Sequence, residues 1–157
     1  MNSQAVIFRD ARRADVPQIV ALLADDVLGA GREAGAGRDG EVADAYWTAF
    51  ERVEASTNDR LIVAEAAGQV VGVLQLTLIP GLSRQGLLRA QIESVRVGAG
   101  QRGQGLGHSM IEWAIGQARE AGCGVVQLTS DKRRASAIRF YESLGFIATH
   151  EGLKLSL

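Results

Sequence analysis

A chain of 157 residues with 46% hydrophobic and 22% charged residues is sized for one domain with its own core, and this composition excludes disorder as a starting point. A net charge of −1 and a pI near 6.1 give no bulk positive field for nucleic acid or anionic lipid, so any anion site has to be local. Cys123 is the only cysteine, which excludes an internal disulfide framework and a cysteine-rich zinc site and fits a reducing compartment.

The start, "MNSQAVIFRDARRAD", has no long apolar core behind a basic end, and no stretch approaches the roughly 20 apolar residues of a membrane span, so the expectation is a cytoplasmic protein. "AVIFRDA" reads as a short strand. Asp15 is placed to cap a helix over "DVPQIVALLADDVL", where Val16, Ile19, Val20, Leu22 and Leu23 make an apolar stripe and Pro17 is tolerated in the first turn. Gly29 to Glu41 is rich in glycine and charge and reads as a mobile loop. "VADAYWTAFERVEAS" spaces Tyr46, Trp47, Phe50 and Val53 as a packing face of a helix. "RLIVAEAAGQVVGVLQLTLI" reads as two strands around a turn at "AAGQ", and "RAQIESVRV" as another strand after the loop "PGLSRQGLL". A glycine-rich loop follows, then a helix from about Gly105 to Ala121, the strand "GVVQLTS", the helix "ASAIRFYESLG" and a closing pair of strands around His150 to Gly152. Strands before and between helices predict an α/β sandwich with a mixed sheet, one domain over 1–157, with no repeat or linker to divide it.

The glycine loop carries the chemistry. "VGAGQRGQGLGHS" leaves a strand and opens a helix. A helix N-terminus presents unpaired N–H groups and a positive dipole end, and glycines let an anion reach them. Arg102 at the head of the loop adds a charge for a phosphate or pyrophosphate. "GAGQRG" matches the dinucleotide pattern GxGxxG, but the helix starts too late and too little chain follows for that fold; "GQGLGHS" lacks the Lys of a P-loop.

At this point the chain resembles the GNAT superfamily of N-acetyltransferases. "RGQGLG", Arg102 to Gly107, matches the cofactor motif of Arg or Gln, two residues, Gly, one residue, then Gly or Ala; "AIRFYESLGF", Ala137 to Phe146, is similar to the family's aromatic pair and Gly-Phe turn. The resemblance implies a GNAT-like three-layer α/β/α sandwich around a largely antiparallel, twisted sheet splayed at the cofactor site. It implies acetyl-CoA as cofactor, its pyrophosphate on the backbone of Arg102, Gly103, Gln104, Gly105, Gly107 and His108, and its pantetheine arm against the backbone of Val95 and Val97. Arg134, Ser136 and Phe140 are further cofactor contacts on the same reading; Arg134 stands where relatives often have Asn, and "GAG" stands where they often have Pro. Tyr141 matches the general acid that protonates the leaving thiolate, and is otherwise an aromatic packing partner. Glu93 resembles the base that takes a proton from the amine, with a pKa raised in a half-closed cleft, and is otherwise a solvated or paired strand residue. Two distant histidines, His108 at the helix start and His150 in a turn, give no metal site.

The acceptor is less defined. Glu33, Asp39, Glu41 and Asp44 suit a cationic amine or simply a solvated loop, whereas Arg84 and Arg89 suit a carboxylate. The implied reaction is direct acetyl transfer to a primary amine of a small molecule or peptide in a ternary complex, with a homodimer allowed because relatives often pair through edge strands or the C-terminal region. A non-catalytic acyl-CoA sensor and a nucleotide-binding oxidoreductase are the competing readings.

Overall fold

The computed structural model describes residues 5–25, 27–33 and 41–157. Among them β1 (Ile7–Asp10), β2 (Asp59–Ala66), β3 (Gln69–Ile79), β4 (Arg89–Val97) and β5 (Val125–Leu128) form one sheet in that order. The first three pairings are antiparallel and β4–β5 is parallel, so the sheet is mixed as the sequence predicts. The helical segments are α1 (Val16–Ala24), α2 (Val27–Arg32), α3 (Asp44–Glu54), the single turn α4 (Ser83–Gly86), α5 (Leu106–Glu120) and α6 (Ala135–Ser143). A parallel pair needs a crossover, and α5 provides the one from β4 to β5. None of these helices is long and apolar enough to cross a membrane.

Strand alternation makes the layers. Ile62, Ala64, Leu74, Leu76, Ala90 and Ile92 face α5, whose Leu106, Met110, Ile111, Ala114 and Ala118 recur at helical spacing on one stripe. Burying Met110 or Ile111 fully stabilises the fold by roughly 1.5–3 kcal/mol each. On the other face Val63 and Val73, and Val70 past the register shift at Ala64/Glu65, meet Ile19 of α1, and Phe50 of α3 packs on Val16 and Val20. The result is the expected three-layer sandwich. Along β4, Glu93 pairs with Gln75 and Arg96 with Val73, so three steps on β4 match two on β3. The extra residue is a bulge at Ser94, whose φ is +55°, and it bends the strand next to the glycine loop.

Several elements depart from the sequence reading. The helix predicted from Asp15 breaks at Asp25 into α1 and α2, so Gly29 to Arg32 are helical and not loop. Of the predicted mobile loop, residues 34–40, Asp39 included, lie outside the described residues. Asp15 makes no side-chain cap to α1; its carboxylate accepts the Arg12 N–H at 2.7 Å and pairs with Arg9 at 2.7 Å, while Arg9 also reaches Glu65 at 2.6 Å. That network fastens β1 to β2 and to the turn before α1. Finally, the closing strand pair around His150 does not form: residues 147–157 lie in neither helix nor strand and are exposed throughout. Strand propensity alone cannot hold a segment that finds no edge to pair with.

Candidate active site

β4 and β5 run together only as far as Ile92 and Leu128. Beyond that pair β4 continues to Val97, and among the described residues no strand lies on its β5 side, so the backbone of Val95 and Val97 borders an open gap. A splay here is what the resemblance implies. The side chains of both valines pack into the core below, which fixes the strand while its edge stays open.

At the end of β4 the chain turns through Ala99–Gln101 and enters α5. Gly103 and Gly105 take φ of +74° and +84°, a region that costs an ordinary residue about 1–2 kcal/mol. A Cβ at either position would project into open space, so their absence clears room in front of the helix. Ser109 N–H reaches Gly105 O at 3.1 Å; the N–H groups of Leu106, Gly107 and His108 come before it and are the open donors of the first turn. Gly107 sits between Val97 and Phe140, within 4 Å of both were it to carry a Cβ, so the loop, the open strand edge and α6 meet at one place.

The side chains of the loop do something other than the sequence suggests. The anion Arg102 meets is the protein's own: its guanidinium donates to Val97 O at 3.1 Å and to Asp25 O and Oδ2 at 2.8 and 2.9 Å. It buttresses the loop against the end of α1. The strand-to-helix turn has its own backbone bonds, Gln101 N–H on Gly98 O at 2.9 Å and Arg102 N–H on Ala99 O at 3.4 Å among them, and the planar guanidinium, with its several fixed donors, adds the tie to α1. Gln104 Nε2 closes the loop on Gly100 O at 2.7 Å. His108 turns its ring along the helix surface, with Nδ1 3.1 Å from Glu112 Oε2, so that only its backbone faces the loop.

Tyr141 lies on the other side of the gap, on α6. Its ring contacts Phe140 at 5.2 Å and Phe146 at 5.9 Å, both edge-on. Burial pushes its hydroxyl above the ordinary value of 10, against the pull of Arg96 and Arg134, and the phenol is therefore neutral at physiological pH. Arg134 is the N-cap residue of α6, half-buried, and Ser136 is exposed in the first turn. Glu93 departs from its expected setting. It is exposed at the bulge, not enclosed in a half-closed cleft, because the bend at Ser94 turns this part of β4 to the surface.

One cavity was not legible in the sequence. It measures about 130 Å³ between α1, α3 and the sheet, lined by Val16, Val20, Tyr46, Phe50, Gln75 and Ser94 among others. Gln75, which lies opposite Glu93 in the β3–β4 register, and Ser94 put polar groups on its otherwise apolar wall. Tyr46 donates its hydroxyl to Glu33 Oε2, and this bond, with burial, pushes the phenol up to about 12. Glu33 is thus engaged by the protein. Asp44 and Glu41 are exposed. Arg84 sits in the turn α4, and Arg89 begins β4, about 27 Å of extended strand from Val97 beside the glycine loop. His150 is exposed, its Nδ1 2.7 Å from Thr149 Oγ1. Cys123 is half-buried and burial pushes its thiol up, which keeps it protonated and unreactive.

Comparison with known proteins gives a consistent picture. A family model described as "Acetyltransferase (GNAT) family" matches residues 23–146. An aminoalkylphosphonate N-acetyltransferase of Salmonella typhimurium is 31% identical over 83 residues, 53% of this chain and 53% of that protein. The chain thus spans about half the length, or less, of the curated relatives it matches. Among solved structures, a transcriptional regulator from Bacillus halodurans C-125 is 46% identical with a TM-score of 0.92, covering 98% of this chain and 100% of that one. A candidate acetyltransferase from Agrobacterium tumefaciens str. C58 is 26% identical with a TM-score of 0.81, covering 96% and 99%.

Proposed function

The chain belongs to the acetyltransferase (GNAT) family, whose members use acetyl-CoA, and from that premise we propose that it is an N-acetyltransferase acting on a primary amine of a small molecule or peptide. The observation that carries this reading is the gap between β4 and β5 opening beside the first turn of α5. A thioester of coenzyme A needs an anion cradle continuous with a free strand edge, and the two lie together here. The open donors of Leu106, Gly107 and His108, with the room left at Gly103 and Gly105, fit a pyrophosphate. The backbone of Val95 and Val97 fits an amide-bearing arm, and Phe140, Arg134 and Ser136 border the same end of the site.

Bound acetyl-CoA would supply the activated acetyl group. Tyr141 holds a proton on Oη in a desolvated setting, suited to the sulfur that departs. Glu93, exposed at the bulge, takes the proton of the incoming ammonium through solvent. The cavity behind Gln75 and Ser94 receives the body of the acceptor, which favours a small amine with an apolar part. An aminoalkylphosphonate, the acceptor named for the Salmonella relative, is also a small amine. The protein works as a homodimer on this reading. Isothermal titration with acetyl-CoA, with NAD and ATP as controls, followed by a panel of amines with coenzyme A release as readout, tests it. Selective binding with turnover supports the enzyme. Binding without turnover on any amine selects the acyl-CoA sensor instead, and binding of NAD in place of acetyl-CoA removes the family's cofactor from consideration.

A further inference from the structure

The cavity between α1, α3 and the sheet has a one-sided hydrogen-bonding wall. Its polar members are Tyr46, Gln75 and Ser94, and no Lys or Arg lines it. Gln75 turns its amide nitrogen to the Asp59 carboxylate, Nε2 to Oδ1 at 3.4 Å. That carboxylate is itself held. Thr77 Oγ1 donates to Oδ1 at 2.6 Å and Ser56 Oγ to Oδ2 at 2.7 Å, and these bonds keep the Asp59 carboxyl below its ordinary range. Ionised, it can only accept, so it fixes the sense of the Gln75 amide and turns Oε1 to the other side. Tyr46 repeats the arrangement: its hydroxyl donates to Glu33 Oε2, and with its one hydrogen spent the oxygen keeps only acceptor capacity.

Two wall groups, one on β3 and one on α3, are thus each backed by a carboxylate that makes them show oxygen. Ser94 adapts to either role, since a hydroxyl both donates and accepts. Neutral groups with acids behind them make a cavity that accepts hydrogen bonds and carries a negative field, without burying a bare charge on its surface. The rest of the wall is aliphatic and aromatic, and the volume of about 130 Å³ is near the roughly 150 Å³ that holds a benzene ring.

We propose that this cavity takes the amino group of a small cationic amine with its short apolar body, Gln75 Oε1 and the Tyr46 oxygen accepting from its N–H groups, and that it rejects an anionic group on the same few atoms. This rests on the acceptor reading above and names its class. Gln75 stands opposite Glu93, about 5 Å across the sheet, and the open edge at Val95 is two residues further along β4. An amine on Oε1 is therefore close to the proposed base and to the gap. Asp59 is a positioning residue that acts through the amide of Gln75. Glu33 stands behind the wall as well, whereas Arg84 and Arg89, which suit a carboxylate, do not line it.

The test titrates the full chain with isobutylamine and with valine, which share one skeleton and differ by a carboxylate. Binding is followed by amide chemical shifts at neutral pH, with coenzyme A present and absent. Wild type should bind isobutylamine about tenfold more tightly than valine, a comparison that needs no variant. Gln75→Leu keeps the bulk of the side chain and should weaken isobutylamine about tenfold, as loss of a hydrogen bond to a charged group does. Asp59→Asn keeps the size but can also donate, so the amide is no longer held in one sense and affinity should fall several-fold. Combined with Gln75→Leu, Asp59→Asn should add nothing, whereas the loss of a merely structural Asp59 would add in full. Circular dichroism checks each fold. Isobutylamine affinity within twofold of wild type in Gln75→Leu, a full Asp59→Asn loss without Gln75, valine bound as tightly as isobutylamine, or no amine binding by folded wild type each overturns the proposal. Acetyl-CoA titration on the same samples reads the activity separately: amine binding that follows the cycle, with no binding of acetyl-CoA, sinks the acetyltransferase reading and leaves the amine site standing.

Discussion

Replacing Tyr141 by Phe tests the acid role with little else disturbed. The ring keeps its edge contacts at 5.2 and 5.9 Å, so the loss is one hydroxyl, and stability should change by no more than about 1 kcal/mol. The size of the kinetic effect follows from the environment. Burial holds the phenol above 10, whereas an alkyl thiol ionises near 8.5, so the proton moves to a weaker base than the one it leaves. An uphill transfer places the contribution at the low end of general acid catalysis, about 10²-fold, or roughly 3 kcal/mol at 1.36 kcal/mol per tenfold. We expect kcat and kcat/KM for the amine to fall together by that factor, measured as coenzyme A thiol release, while the dissociation constant for acetyl-CoA stays within twofold. The wild-type alkaline limb belonging to this group should lie above pH 10, because the group acts only while protonated and its pKa is raised. A kcat within threefold of wild type, or a loss that comes with an equal loss of coenzyme affinity, refutes the reasoning.

Asp25→Ala releases the Arg102 strut, and since both partners are about half exposed the stability cost should stay under about 1 kcal/mol, while KM for acetyl-CoA rises several-fold with kcat little changed in steady-state kinetics. Gly105→Ala forces a Cβ into φ +84° and should cost about 1–2 kcal/mol in chemical denaturation, with a weaker titration for acetyl-CoA. Asp15→Ala strands Arg9 beside Glu65 and should cost about 3 kcal/mol. Arg9's hydrogen bonds hold the Asp15 carboxyl below its ordinary range, so its contribution is complete above about pH 4, the unfolded value, and is lost as pH falls through the lower folded one; acid titration of the variant should show a shallower loss. Tyr46 has the opposite sign: raised from 10 to about 12, it stabilises fully below pH 10 and loses that contribution between the two values, so Tyr46→Phe should flatten the alkaline unfolding curve there.

What could be read from the sequence was what neighbours along the chain decide. The glycine loop announces its own conformation, since φ of +74° and +84° is held by residues with no Cβ, and the stripe from Leu106 to Ala118 announces the face of α5. Parity along β2 and β3 was equally local. The partners of Arg102 were not, because Asp25 lies 77 positions away and nothing in "ADDVL" distinguishes an anchor from a solvated acid. Charge alone suggested an anion outside the protein; the fold supplied one inside it. Gln75 and Ser94 escaped for a related reason: a bulge depends on how two strands count against each other, and neither sequence shows it alone. The segment after Phe146 is the reverse case. The closing strand pair expected around His150 to Gly152 does not form, because a strand is a pairing and not a property of a segment, and residues 147–157 pair with no strand.

The strut also explains why the two halves of the site hold a fixed relation. α1 carries Val16, Ile19, Val20 and Leu23 on the cavity wall, and at its end Asp25 grips Arg102 at the start of the anion cradle. One rigid helix therefore borders both, and the bulge at Ser94 opens the sheet between them. Movement of α1 would displace the acceptor wall and the loop together. In an acetyl transfer the amine and the thioester have to be held within about 3.5 Å of each other, and a shared helix is a direct way to keep that distance while each substrate enters from its own side.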